Sequence, residues 1–210
     1  MELKEAFKTA FNEKIWTADG DRSVSGSGSE IRNASTVATW IDALIEIERV
    51  KTVADFPCGD FNWQYLFLND GLEYKGLDIV PQIVKQNTAK TKKRKNVSFS
   101  AGDLTSSKLP SADLLIVRDC LVHLSNEDGL KALKNVCRSD IRLLAITSFI
   151  NLQVNTNTVA PIWRAQNLQK APFNLPTPKA ILLEQCEEAN GIFPDKALIV
   201  YEVEAIKAVL

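Results

Sequence analysis

Acidic residues recur at the ends of three short apolar runs, and their positions suggest one ligand. Thr52-Val-Ala-Asp55-Phe56 runs into Pro57-Cys58-Gly59-Asp60, a second run ends Tyr74-Lys-Gly-Leu-Asp78-Ile79, and a third is followed by Gly102-Asp103-Leu104. In an open α/β sheet the ligand lies beyond the carboxyl ends of the strands, which is where all three sets would fall. Gly59 would let the backbone approach a ligand closely. Asp55 and Asp60 flank that turn, where a pyrophosphate would want neither, and both GxGxxG and the Walker sequence are absent. An acidic lip suits a cation instead. Asp78, with Ile79 beside it, is placed to accept hydrogen bonds from both hydroxyls of a ribose. Asp103 would take an adenine amino group while Leu104 packs against the ring. These residues imply an adenosine ligand with a positive centre and no phosphates.

Positioning those residues requires a particular order of elements. Residues 2–15 repeat apolar positions at three and four residue steps, as an amphipathic helix does, and Ser29 is a candidate N-cap for a second helix through Val37, Ile41 and Leu44. Strands are predicted over 51–56, 72–79, 96–100, 112–118 and 141–149. Helices over 61–68, 81–89 and 125–137 fit between them, the last capped by Ser125. Alternating β and α, with strands as continuously apolar as Leu114-Leu-Ile-Val117, predicts a mostly parallel Rossmann-like sheet with helices on both faces. Residues 151–178 break the alternation and read as a lid. Residues 180–186 and 197–206 read as strands joined at Asn190-Gly191, an antiparallel pair completing seven strands. The expected organisation is one domain: 1–48 leading helices and a Ser/Gly loop, 49–150 the binding core, 151–178 the lid, 179–210 the closing pair.

Composition narrows the partners. Twenty-five basic and 26 acidic residues leave a net charge of -1, so neither nucleic acid nor an anionic membrane is expected. Five basic residues in six over 90–95 read as a solvated turn, since no aromatics interleave them. No apolar run is long enough to span a bilayer, no secretory signal opens the chain, and four cysteines lack any CxxC spacing. A cytoplasmic chain with reduced thiols is expected.

The acids and the Gly59 turn, in this order along residues 50–151, resemble class I S-adenosylmethionine-dependent methyltransferases. Pro57 and Phe61 stand where the usual GxGxG motif has its first and last glycines. A closer resemblance is to a subgroup carrying four blocks, here Ser25-Gly-Ser-Gly-Ser29, Pro57-Cys-Gly-Asp-Phe-Asn-Trp63, Arg118-Asp-Cys-Leu-Val-His-Leu-Ser125 and Asn167-Leu-Gln-Lys-Ala-Pro-Phe-Asn-Leu-Pro-Thr-Pro178. Members of that subgroup often accompany glycan-building enzymes, which implies a sugar or glycan hydroxyl as the methyl acceptor, the alternatives being another small-molecule acceptor or a non-catalytic S-adenosylmethionine-binding module.

The resemblance implies roles for further residues. Ser25, Gly26 and Ser29 would fold over the methionine end of the cofactor and meet its carboxylate, which Arg118 could also pair. Trp63 would stack on adenine, line the acceptor pocket or simply be core. His123, the only histidine, would take the proton of the acceptor hydroxyl. Asp119 could orient that imidazole, bind the acceptor, hold a divalent metal such as Mg²⁺, or cap the next turn. Trp163, Arg164, Asn167, Phe173 and Asn174, in the irregular lid, are candidates for acceptor contact.

Overall fold

The computed structural model describes residues 2–17, 20–185, 187 and 191–210. Helix α1 (Leu3–Glu13) leads to a Ser/Gly loop and to α2 (Ile31–Glu48). Strand β1 (Thr52–Asp55) follows, then β2 (Glu73–Asp78), α3 (Pro81–Lys90), β3 (Val97–Ala101) and β4 (Ala112–Val117). After α4 (Asn126–Cys137) come β5 (Ile141–Phe149), β6 (Ala180–Leu183), β7 (Lys196–Glu202) and α5 (Val203–Lys207). The seven strands form one sheet in the order β3-β2-β1-β4-β5-β7-β6, a Rossmann-like arrangement. The first five in sequence pair in parallel, and β7 runs antiparallel to both β5 and β6.

The alternation of side chains explains why the middles of the central strands are apolar on both faces. Leu114 and Ile116 of β4, with Val53 and Leu143, pack on one face against Val37, Ile41 and Leu44 of α2. Leu115 and Val117 point the other way, to Leu133 and Val136 of α4 and Val203 and Ile206 of α5. A strand covered on both sides favours apolar residues at successive positions, and the polar ones in these strands fall near their ends, as Asp55, Asp113, Arg142, Thr147 and Ser148 do. Full burial of each such aliphatic side chain contributes about 1.5–3 kcal/mol.

Four local expectations are corrected. Residues 61–68 contain only a single 3₁₀ turn, Gln64–Leu66, instead of a helix. Phe61 adopts φ 58°, and Gln64 turns inward to donate to Asp55 and to the Cys58 carbonyl, so the stretch cannot wind regularly. Ser29 belongs to a 3₁₀ turn and Glu30 occupies the N-cap of α2. The last strand stops at Glu202, where its register on β5 has reached Leu143, and the chain becomes α5. Val203 and Ile206 then bury at helical spacing. Strand β6 ends at Leu183, and Cys186 and Asn190 of the predicted hairpin lie outside the described residues. The Ser125 cap is as expected, its Oγ accepting from the Asp128 amide at 3.0 Å.

Candidate active site

The two acids expected to hold a nucleoside, Asp78 and Asp103, lie together at the carboxyl edge of the sheet. Asp78 ends β2 with its carboxylate buried, accepting from the Val80 amide at 2.9 Å and the Gly59 amide at 3.2 Å. Burial raises its pKa to about 6 in spite of those bonds. Asp103 accepts from the amide and hydroxyl of Thr105, which fixes its side chain. Asp78, Ile79, Asp103 and Leu104 line a cavity of about 100 Å³, roofed by Leu3, Phe7 and Phe11 of the first helical segment.

The turn after β1 is built against the Ser/Gly loop. Gly59 has φ 55°, and a Cβ there would lie 2.6 Å from the Ser25 hydroxyl oxygen. Ser25 Oγ accepts from the Asp60 amide at 2.8 Å. Asp60 Oδ1 accepts from the Ser23 hydroxyl and Oδ2 from the Val24 amide. Its carboxylate is therefore spent on anchoring the loop, and it lines neither cavity, in contrast to the acidic lip expected of it. Glu30, which sequence reasoning passed over, completes the anchor by accepting from the Arg22 and Ser23 amides. Phe61 keeps the backbone that a glycine would adopt there, and its ring packs edge-on against Tyr74 and Phe99, 5.3 Å from each.

A larger cavity of about 400 Å³ adjoins the first and shares Trp16, Ser25, Pro57, Gly59, Asp119 and His123 with it. Gly26, Gly28 and Ser29 line one part with Asp55, Trp63 and Arg118. Trp63 is buried, and the Arg118 guanidinium lies 5.4 Å from its ring centroid.

Asp55 is buried, and burial pushes its pKa up to about 7 against hydrogen bonds donated by Tyr74 (2.6 Å) and Gln64 (2.8 Å). The folded chain thus holds a proton on this group that the unfolded chain releases above its ordinary value of 3.8. Its contribution to stability is therefore largest at low pH and is lost as pH rises from about 4 to about 7. Asp78 acts in the same sense up to about pH 6. Both donors reach the same oxygen of Asp55, so Asp55→Asn can still accept from them. Urea titrations from pH 4 to 7 are expected to show a weaker decline in this variant, by up to about 1.4 kcal/mol per pH unit. An identical decline in variant and wild type would mean that Asp55 titrates as an ordinary carboxylate.

At the other side of the cavity three buried charges and the quarter-exposed Asp119 form a chain. Arg118 Nη2 lies 2.6 Å from Glu184 Oε2, and its Nη1 donates to the Gly28 carbonyl at 2.7 Å. Lys196 Nζ lies 2.8 Å from Asp119 Oδ2 and 3.6 Å from Glu184 Oε2. Asp119, at φ 53°, projects from the end of β4. Burial alone would raise its pKa, but Lys196 and Arg118 overrule it and hold the carboxyl below the usual range. A metal fits poorly here, because the ammonium of Lys196 already occupies the carboxylate. Among the described residues no three His, Cys, Asp or Glu side chains gather as a metal site.

His123 sits in a 3₁₀ turn just beyond β4, its ring 5.2 Å from that of Trp16. Nδ1 lies 3.0 Å from the Pro161 carbonyl oxygen. A carbonyl only accepts, so Nδ1 carries the hydrogen and Nε2 keeps its lone pair. Burial lowers the imidazole pKa, favouring this neutral form.

Of the five lid candidates only Trp163 lines the cavity, packed with Phe149 and Phe193. Arg164 is buried, donating to Leu121 O, Gln166 Oε1 and Asn126 Oδ1, and so clamps the lid to the His123 turn. Asn167 donates to the carbonyls of Ile150 and Leu152. Phe173 is core, set so tightly against Gly129 that a Cβ there would lie 3.0 Å from its ring. Asn174 is exposed at φ 49°. These four shape the lid and do not line the cavity. Lys196, Glu184 and Phe193 were not singled out from the sequence, because nothing in their local pattern relates them to β4.

Comparison with known proteins bears on what this cavity serves. Residues 71–160 match the model of a family described as an O-methyltransferase domain. The fold, with a family match over fewer than half of the residues, supports an S-adenosylmethionine-dependent methyltransferase. Magnesium protoporphyrin IX methyltransferase from Synechocystis PCC 6803, solved with bound SAH, is similar with a TM-score of 0.65 and 12% identity, over 94% of this chain and 96% of that one. N-methyltransferase NodS from Bradyrhizobium japonicum WM9 is similar with a TM-score of 0.61 and 15% identity, over 81% of this chain and 96% of that one. The methyltransferase domain of bacterial CtHen1 gives a TM-score of 0.50 and 16% identity, over 55% of this chain, which spans 66% of that domain's length. No curated protein matches the sequence.

The donor set of the methyltransferase fits S-adenosylmethionine. Asp78 and Asp103 line the smaller cavity, and Gly26–Ser29 with Arg118 line the larger one beside it. Amide exchange over 23–29 and 154–178 is expected to slow when S-adenosylhomocysteine is added, as loops closing over a ligand do. Equal rates with and without it would make both segments ordinary surface connections.

Proposed function

We propose that the methyltransferase methylates a hydroxyl group of a sugar or glycan, with His123 as the base. The carrying observation is the imidazole whose Nδ1 faces the Pro161 carbonyl, leaving Nε2 unprotonated on a ring that lines both cavities. A sugar hydroxyl is a poor nucleophile until its proton leaves, and a neutral imidazole suits that transfer. S-adenosylmethionine, when bound, supplies a methyl group on a positively charged sulfur. Asp78 and Asp103 orient the nucleoside, the Ser25–Ser29 loop excludes water, and His123 receives the acceptor's proton. Proximity is the larger contribution, since well-aligned pairs reach effective molarities of roughly 10⁵ M and above.

The sugar assignment draws support from the mixed wall of the larger cavity. Trp16, Phe149, Trp163 and Phe193 offer flat apolar surfaces for the C–H faces of a sugar ring, while Asp119 and Lys196 offer partners for hydroxyls. The same aromatic wall favours, as a second reading, a phenolic hydroxyl on a planar acceptor. A cytoplasmic setting agrees with free thiols at Cys58, Cys120 and Cys137. Incubation with methyl-labelled S-adenosylmethionine and parallel panels of oligosaccharides and phenols, with and without chelator, tests the reading. Chelator-resistant label in a glycan supports it; label in phenols alone moves the acceptor to the second reading, and label in neither removes both.

A further inference from the structure

Lys196 opens β7, and the antiparallel register of that strand sets it opposite Phe149, at the edge where the parallel strands end. Only 4% exposed, it lines the cavity that His123 also lines. Its amide and carbonyl are held by Phe193 O and the Glu184 amide, so the side chain starts from a fixed backbone. Glu184 is already matched by Arg118 at 2.6 Å, and the closer carboxylate to Lys196 is Asp119, at 2.8 Å. Asp119 borders both cavities. An ion pair is a weak source of stability compared with packed apolar residues, which leaves the placement of this one, with Asp119 25% exposed on a cavity wall, to be explained by chemistry.

We propose that Lys196 is a further catalytic residue, whose ammonium binds the acceptor oxygen beside Asp119 and stabilises the negative charge that develops there as the proton leaves for His123. The assignment rests on the oxygen-acceptor reading above. In the transfer the O–H bond breaks, its proton passing to His123 Nε2 and its electron pair staying on oxygen. An oxygen pair forms the bond to the methyl carbon, and the carbon–sulfur bond breaks with its pair left on sulfur, which becomes neutral. The imidazolium then loses its proton to solvent. A fixed cation in a water-poor cavity stabilises such an oxygen far better than the same charge does in water. Asp119 has the complementary task of keeping the ammonium protonated and aimed before the acceptor arrives.

The single histidine allows a test that needs no turnover, because one imidazole signal titrates in the proton NMR spectrum. The charged groups around that ring are Asp119 on its own turn, Lys196 from β7 and Arg164 from the lid, while α1 and the residue before the loop meet it with the rings of Phe7 and Trp16. Lys196→Gln removes a cation and leaves Asp119 facing the imidazole, so the His123 pKa is expected to rise by about one unit in the cofactor-free protein. With acceptor present, kcat should fall about 10²–10³-fold while calorimetric affinity for S-adenosylhomocysteine stays within about threefold. Glu184→Gln/Lys196→Gln, which keeps the buried charges balanced, carries the same comparison against Glu184→Gln if the single variant does not fold. An active wild type whose Lys196 variant keeps kcat within about threefold, or whose imidazole titration does not move, overturns the assignment. A wild type that methylates no oxygen acceptor overturns the oxygen-acceptor reading, and this assignment with it.

Discussion

Replacing His123 by alanine is expected to lower kcat by about 10²–10⁴-fold while affinity for S-adenosylmethionine stays within a few fold. The separation follows from timing, since the acceptor hydroxyl needs a base only in the transition state and the cofactor needs none to bind. Burial lowers the imidazole pKa from its ordinary value, partly offset by the Pro161 carbonyl and Asp119, so the wild-type rate should reach its plateau by neutral pH. On the acid side the rate should fall as the imidazole protonates, and that limb should be absent in His123→Ala. The measurement is kcat against pH for both proteins. If His123→Ala keeps nearly full activity while Asp119→Asn is inactive, the base is Asp119, and His123 serves only to pack Trp16 and Pro161.

The second large effect is expected at Asp78. Asp78→Ala removes the carboxylate that we propose for the ribose hydroxyls, and hydrogen bonds to a charged group contribute roughly 1.5–3 kcal/mol each. It also strips the acceptor from the Val80 and Gly59 amides, loosening the turn that meets Ser25. The dissociation constant for S-adenosylhomocysteine should rise by at least about tenfold, each tenfold being about 1.4 kcal/mol. Asp78→Asn should lose less, because its amide oxygen still accepts one of the two N–H groups. Calorimetry showing an unchanged constant for a folded Asp78→Ala would remove the residue from the cofactor site.

The behaviour of these two residues reflects how differently they were legible. Asp78 could be placed from the sequence because a strand ending in a turn fixes where its last side chain stands. Its neighbour in function, Asp60, could not: the same acidic type one turn away points at the Ser23–Val24 backbone, a contact 36 or 37 residues distant in the chain. Phe61 illustrates the converse. As a residue type it departs from a glycine motif, yet its φ of 58° lies in the left-handed region that glycine favours, and the aromatic contacts with Tyr74 and Phe99 help offset the strain of roughly 1–2 kcal/mol.

Periodicity and strand-end chemistry in the sequence by themselves determined the alternating core, the two-sided burial of β4 and the row of acids beyond β1, β2 and β3. They also marked His123 as the one imidazole available for proton transfer. Only the tertiary structure decided which polar residues meet across the cavity. Lys196 and Asp119 are 77 residues apart and come within 2.8 Å because β7 returns antiparallel beside β5. Arg118 and Glu184, 66 residues apart, meet where β6 ends. Local pattern records the face on which a side chain lies. It carries no information about which distant strand will lie beside it, and for buried charges the choice of that neighbour sets both their protonation and their role.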